Sequence, residues 1–433
     1  MVTGTSNAVP RWTMAQKAFG TLIAFAIFLD GFDNQLIALC LPAISTDWGI
    51  DRGSFATVVA IGLVGIAIGN AFAGYANDTI GRRLTLISSM TVMALSNLST
   101  AMTTDLVSFG IARLFVGIGL GSTLSSAVVT LNEFTPKHRR STMVAFGMLC
   151  MPLGGLVASS MSAALLENMG WQTMFIFGGA APLAIAALIF LVLPESPPFL
   201  ATQPHRAEEL AKLLKRLGVD DPSDLSTAAP KEKIGKVSAL FTPEYRRDTL
   251  LIWFSFLSCF VALYLILSWL PSLFAGIGAS LAFSSTALAA QATGSLIGSI
   301  ILVVIAQRFG TKLPMILFGL LGAVLIAIFS FVFGTGASNI VVLGLIALFS
   351  VAMAIMINLL YVLVPQMYPA THRGTGVGIA LASGRIGGVA SAFIGGGLLT
   401  YGGQLFFLVD AAALFIVVLS VWGITRHVPP TKK

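Results

Sequence analysis

The chain has 433 residues, of which 56% are hydrophobic and only 10% charged, with a formal net charge of +7. A soluble domain carries roughly 25% charged residues, so a water-covered globule is excluded, and the mean hydropathy of +0.91 agrees. The basic excess does not mark a nucleic-acid binder, because Lys and Arg fall in short loops with no basic stripe and no interleaved aromatics.

Residues 1–16 are polar and lack the basic region, short apolar core and cleavage site of a secretory leader, so no cleaved signal peptide is expected. A polar tail, 1–17, gives way to a series of apolar blocks. They lie near 18–42, 54–76, 84–102, 106–131, 142–165, 171–193, 249–275, 283–306, 313–332, 339–364, 374–398 and 404–425. A spanning helix needs ~20 mostly apolar residues, and these blocks lack the period-two alternation of barrel strands. The expected fold is therefore an all-α membrane protein with about twelve transmembrane helices. It divides into a six-helix half at 18–194, a polar central loop at 195–248, a second six-helix half at 249–425, and a tail at 426–433. The charged run from Arg206 to Leu217 reads as a short surface helix in the central loop. Cys40, Cys150 and Cys259 all fall inside apolar blocks and read as packing residues, not as a disulfide or metal set.

Nearly all of the 25 Lys and Arg fall on one side if the N-terminus is cytoplasmic. The opposite loops hold Arg52 alone. Positive loops mark the cytoplasmic side, so both termini are expected there. The halves also repeat. Asp78-Thr-Ile-Gly81-Arg82-Arg83 after span two is matched by Gln307-Arg-Phe-Gly310-Thr-Lys312 after span eight. Glu133-Phe-Thr-Pro136, followed by Arg140, is matched by Gln366-Met-Tyr-Pro369, followed by Arg373. Two repeated six-span halves, related by a pseudo-two-fold axis, are the organisation of rocker-type transporters.

Gly74-Tyr-Ala-Asn-Asp78-Thr-Ile-Gly81-Arg82-Arg83 resembles the major facilitator signature between helices two and three. Arg113-Leu-Phe-Val-Gly117-Ile-Gly119 resembles that superfamily's helix-four motif, and Pro194-Glu195-Ser196-Pro197 the end of helix six in its sugar and organic-anion members. Asp30-Gly31-Phe32-Asp33 in helix one and Gly384-Arg385-Ile-Gly387 in helix eleven resemble the aromatic acid:proton symporter branch. Helix five reads Met151-Pro152-Leu-Gly154-Gly155, which departs from the antiporter motif by lacking its first glycine and so favours symport over drug antiport. The resemblance implies proton-coupled uptake of a small aromatic carboxylate, such as a hydroxybenzoate or benzoate, across a bacterial inner membrane.

The residues themselves point the same way. Charge at membrane depth is unfavourable by ~2.5–3.5 kcal/mol on insertion scales, yet Asp30, Asp33, Arg113, Arg385 and Asp410 lie inside spans. At ~1.5 Å per residue, Asp30 and Arg113 lie ~18 Å and Arg385 ~16 Å from the cytoplasmic side, so three helices bring charge to the midplane. Asp30 and Asp33 share a helix face with Asn34. Two nearby desolvated carboxylates resist double ionisation, which suits a proton carrier with Arg113 as counter-ion. The plainer alternative is a permanent Asp–Arg lock between helices one and four. Arg385 offers a planar fork for a substrate carboxylate, or it pairs with a carbonyl or Asp410. Tyr264 and Tyr361, with Asn358, are the candidates for contacting the ring, whereas Trp253 and Trp269 fit anchoring at the membrane interface. Asp78, Gly81, Arg82, Arg83, Glu133 and Arg140 read as a cytoplasmic gate latch that breaks as the halves rock, with a weaker counterpart at Gln307, where the acid is missing.

No bond is made or broken in this reading, so no enzyme activity, cofactor or metal is expected; the proton is the coupling ion, lipids surround the chain, and one chain suffices as a monomer. The rivals are uptake of another organic anion, such as nicotinate or a hydroxy acid, and drug:proton antiport. A membrane sensor would need a larger output domain than the central loop. A channel would want rings of like charge, and a nucleotide-driven pump a Gly-rich loop ending in Gly-Lys-Ser/Thr; neither is present.

Overall fold

The computed structural model describes residues 13–135, 140–217 and 240–427. The first half holds α1 (Met14–Trp48), α2 (Ala56–Ile80), α3 (Arg82–Thr100), α4 (Leu106–Phe134), α5 (Arg140–Met169) and α6 (Trp171–Val192). Two short helices follow, α7 (Pro197–Ala201) and α8 (Ala207–Leu217). The second half holds α9 (Arg246–Gly276), α10 (Leu281–Phe309), α11 (Lys312–Val332), α12 (Asn339–Leu363), α13 (Ala370–Leu398) and α14 (Gly403–Gly423).

Local chemistry sets the ends. Thr13 and Gln16 form a reciprocal capping box at the start of α1. Asp105 and Ser280 accept from the first turns of α4 and α10. Gly81, Gly170, Gly310 and Gly402 take positive φ at the tight turns before α3, α6, α11 and α14, a conformation that disfavours any Cβ. These turns sit at matching places in the two halves, as do the in-helix prolines Pro42 of α1 and Pro271 of α9.

Eleven spans are long and apolar enough to cross a membrane among the described residues. The twelfth position in the bundle is α3, which falls short on composition because it carries Arg82, Thr85, Ser89, Asn97 and Thr100, all buried. Those polar groups face inward against α4 and α6; Thr123 of α4, for example, donates to Ser89 at 3.0 Å. α1 begins four residues before the expected span and runs past it to Trp48. The expected surface helix is α8, whose Leu213 and Leu217 are buried while Arg216 lies over the Phe19 ring.

The packing repeats across the halves. α2 against α4, α1 against α5 and α3 against α6 are matched by α10 against α12, α9 against α13 and α11 against α14. Between the halves, α2 packs on α13 and α10 packs on α5, which are the same contact exchanged by a pseudo-two-fold axis. The register holds to the residue. A Cβ on Gly154 of α5 would meet the carbonyl of Phe28 on α1, and one on Gly387 of α13 would meet the carbonyl of Leu257 on α9.

The two ends of the described chain, Thr13 and His427, lie on one face of the bundle, here the terminal face; the other is the far face. The hydrogen bonds described between the halves all lie at or beyond Gln35 toward the far face. They are Gln35 to Gln291 (3.3 Å), Ser162 with Ser285 (2.9 Å), Arg52 to the Ser272 carbonyl (3.3 Å) and the Ala282 N–H to Glu167 (3.3 Å). The two halves are therefore closed on each other at the far face. Trp269, expected near a membrane interface, is fully buried instead, because Gly395 and Gly396 of α13 let its ring pack between the helices. The cysteines are free and buried, as expected.

Candidate functional site: a charged and aromatic centre between the halves

Two groups of charge meet at mid-depth. The first belongs to one half. Asp33 on α1 and Arg113 on α4 are 1% and 5% exposed, but they do not touch directly. Asn97 of α3 stands between them. Its amide nitrogen donates to Asp33 Oδ1 at 2.5 Å and to the Gly178 carbonyl at 3.2 Å, and its oxygen accepts from Arg113 Nη2 at 2.6 Å. Arg113 also lies 5.1 Å from the Phe175 ring centroid, a favourable place for a cation. The expected Asp–Arg pair is thus a three-membered chain. Asn97 escaped sequence reasoning because an asparagine in a polar-rich helix carries no distinguishing pattern.

The second group crosses the halves. Asp30, one turn from Asp33, is buried with Oδ1 unpartnered, and it lies within electrostatic reach of Arg385 on α13. Arg385 is half-buried. It donates one long hydrogen bond, 3.4 Å, to the Tyr264 hydroxyl and its guanidinium sits 5.8 Å from the Phe260 ring centroid. Most of its five donors are uncommitted. Asp410, the alternative partner, does not reach it; that carboxylate is buried within the second half with neither oxygen hydrogen-bonded among the described residues. So Asp30 and Asp33, although on one helix face, look toward different cations.

Around Arg385 the aromatics form a wall. Phe256, Phe260 and Tyr264 recur every four residues on α9, with neighbouring centroids 6.3 and 6.0 Å apart. Tyr361 of α12 meets Phe256 edge-on at 5.6 Å and is 40% exposed, so its ring is available to a ligand. Gly384 and Gly388 allow α13 to approach this wall closely: a Cβ there would press on Phe260 and Tyr264. Asn358 donates to the Ala354 carbonyl of its own helix at 2.7 Å and to the Ser299 hydroxyl of α10 at 3.5 Å. Asn34 is half-buried on α1.

The terminal-face motif forms a separate network inside the first half. Buried Arg82 donates from Nε to both oxygens of Glu133 at 3.1 Å and from Nη1 to the Asn77 carbonyl at 2.7 Å. Asp78 lies 3.4 Å away but is half exposed. Glu195, from the segment after α6, accepts the backbone N–H groups of Arg82 (2.9 Å) and Arg83 (3.2 Å) and so caps the positive end of α3. Its signal was the Pro-Glu-Ser-Pro run. Gly81 is required, because a Cβ there would press on Glu195 and Phe199. Arg83 donates to the Phe190 carbonyl. Arg140 starts α5, and its side chain lies outside those described. In the second half, where the Gln307 turn lacks the acid, Asp248 and Glu244 supply charge elsewhere: Asp248 accepts from Thr425 and Glu244 from Arg426, both at 2.7 Å.

Residues 23–287 and 252–433 match the Major Facilitator Superfamily. The chain is similar to the 4-hydroxybenzoate transporter PcaK of Acinetobacter baylyi, at 30% identity over 97% of this chain and 93% of that one. It is also similar to the gallate transporter of Pseudomonas putida, at 29% identity over 88% and 85%. In fold it is similar to the xylose transporter XylE from E. coli in a partially occluded inward open conformation, with a TM-score of 0.76 and 18% identity over 95% and 98% of the two chains. The chain belongs to the Major Facilitator Superfamily; it is a multi-pass membrane transporter and not an enzyme.

Proposed function

We propose that this transporter takes up a small aromatic carboxylate, of the hydroxybenzoate or benzoate kind, together with a proton across a bacterial inner membrane, with the terminal face cytoplasmic. The observation that carries this reading is the juxtaposition of an under-used guanidinium, Arg385, with the aromatic wall Phe256–Phe260–Tyr264–Tyr361 and a buried carboxylate, Asp30, from the other half. A planar fork takes a carboxylate in two parallel hydrogen bonds, and the wall takes the ring. The relatives' names support the substrate class.

Coupling follows from sharing one cation. Arg385 stabilises Asp30 as a carboxylate. A substrate carboxylate competes for the same guanidinium, and an anion bound there makes ionisation of both neighbouring carboxylates, Asp30 and Asp33, unfavourable, so this pair binds its proton best when substrate is present. The substrate's negative charge and the proton's positive charge cancel, so one-to-one uptake is electroneutral and is driven by the pH gradient; a proton taken up beyond that one moves with the field and contributes ~2.3 kcal/mol per 100 mV. In this reading the far-face closure is an inward-facing state. The Arg82–Glu133–Glu195 network keeps the first half rigid while the halves rock, and it supplies the latch when the terminal face closes. Each chain contains both halves and works as a monomer among lipids.

The test is uptake of radiolabelled 4-hydroxybenzoate, benzoate and nicotinate into proteoliposomes, with and without an inward proton gradient, for wild type and Arg385→Ala. Gradient-driven uptake of an aromatic acid that is lost in Arg385→Ala supports the reading. Nicotinate alone being taken up shifts the substrate to the heteroaromatic acids. No uptake of any of them under a gradient overturns it.

A further inference from the structure

We propose that Asn97 is the positioning residue of the proton site: it keeps the Arg113 guanidinium off Asp33 and leaves Asp33 Oδ2 as the atom that takes up and releases the proton. The inference rests on the proton-coupled reading above and deepens it.

An amide has two unlike ends, so its partners reveal the state it is built for. The Asn97 NH2 must face acceptors, and it faces Asp33 Oδ1 and the Gly178 carbonyl. The Asn97 oxygen must face a donor, and it faces Arg113 Nη2. Both amide protons and the oxygen are used, and Asn97 is fully buried, so the side chain cannot turn over without breaking three bonds. A proton on Oδ1 would confront the NH2 group. Oδ2 has no partner, so it is the oxygen free to carry one.

The spacing serves the chemistry. A guanidinium in direct contact with a carboxylate makes charge-assisted hydrogen bonds, roughly twice as strong as neutral ones, and would hold Asp33 ionised. A neutral amide between them passes on part of that attraction and lets protonation compete. The charged and titratable groups facing Asp33 are Asp30 and Cys40 on its own helix, Arg113 on α4 through Asn97 on α3, and Arg385 on α13 beyond Asp30; α6 presents Phe175 and the Gly178 backbone.

The bridge makes two substitutions act in opposite directions. Asn97→Ala removes the spacer and admits Arg113 to Asp33, so the external pH giving half-maximal gradient-driven uptake falls by about one unit, a tenfold rise in the proton concentration required. Asn97→Asp gives Arg113 its own carboxylate and sets a second acid beside Asp33, so the midpoint rises by about one unit. Both variants retain substrate–substrate exchange at equal pH, which needs no net proton movement. The experiment measures uptake against external pH, together with exchange, in proteoliposomes for wild type and both variants. Midpoints shifted in opposite directions with exchange kept within about threefold support the assignment. Unshifted midpoints, shifts of the same sign, loss of exchange in step with uptake, or failure of both variants to fold as judged by thermal melting in detergent overturn it. A wild type that shows no dependence on the proton gradient refutes the coupling reading instead.

Discussion

Replacing Arg82 with methionine strands Glu133. That carboxylate is 7% exposed and receives both of its charge-assisted contacts from Arg82 Nε at 3.1 Å. Removing one member of a buried pair leaves an uncompensated charge, with a loss of about 3–5 kcal/mol. The Asn77 carbonyl also loses its 2.7 Å donor, worth about 1 kcal/mol. Asp78 belongs to the same motif and lies 3.4 Å from Arg82, yet its side chain is 51% exposed; an exposed pair contributes about 0–1 kcal/mol. Reversible unfolding in mixed micelles should therefore place Arg82→Met several kcal/mol below wild type and Asp78→Ala within about 1 kcal/mol. The double variant Arg82→Met/Glu133→Leu should recover much of the loss, since an apolar pair can replace a buried ionic one. Equal losses in Arg82→Met and Asp78→Ala, or no recovery in the double variant, would refute the reasoning.

The helix contacts make a second prediction. Gly154→Ala and Gly387→Ala drive a methyl into the carbonyls of Phe28 and Leu257, and each should destabilise by about 1–3 kcal/mol. Gly378→Ala meets nothing within 4 Å and should be neutral or stabilising by up to about 1 kcal/mol; the same unfolding assay separates them. Tyr264→Phe loses the 3.4 Å partner of Arg385, which should raise KM about 2- to 10-fold with little change in maximal uptake, read from initial rates against substrate concentration. At the far face, Asp105 caps α4, and hydrogen bonds from the Ser108 hydroxyl and the Ser108 and Val107 N–H groups hold its carboxyl below the ordinary 3.8. Its contribution is present above that value and fades as pH falls through the lowered one. Asp105→Ala should melt earlier than wild type at pH 7, and the gap should close below about pH 3.8.

The spans were legible because each apolar block has the length of a bilayer crossing, and the repeat in the loops exposed the two halves before any helix was placed. α3 shows the limit of composition: it sits in the bundle with buried Thr85, Ser89 and Asn97, and only its neighbours α4 and α6 make that tolerable. The midplane charges were legible one by one, since charge at that depth demands a reason. Their pairing was not. Helix spacing puts Asp30 and Asp33 on one face, but which cation each meets depends on how α3 and α13 pack against α1, and that rests on glycines such as Gly154 and Gly387 that permit the close approach. For the same reason Trp269 could be mistaken for an interfacial anchor until the α13 glycines beside it were seen. Glu195 as the cap of α3 joins segments more than a hundred residues apart, a link that local pattern does not carry.

Proton movement driven by substrate alone tests the coupling claim most directly. Wild-type proteoliposomes holding a trapped pH dye, with no initial gradient and a clamped membrane potential, would receive external 4-hydroxybenzoate at a pH where it is ionised. The account predicts acidification of the interior that follows substrate entry and is abolished in Arg385→Ala and in Asp33→Asn. Substrate entry with no change in internal pH, or acidification that persists in both variants, would contradict it.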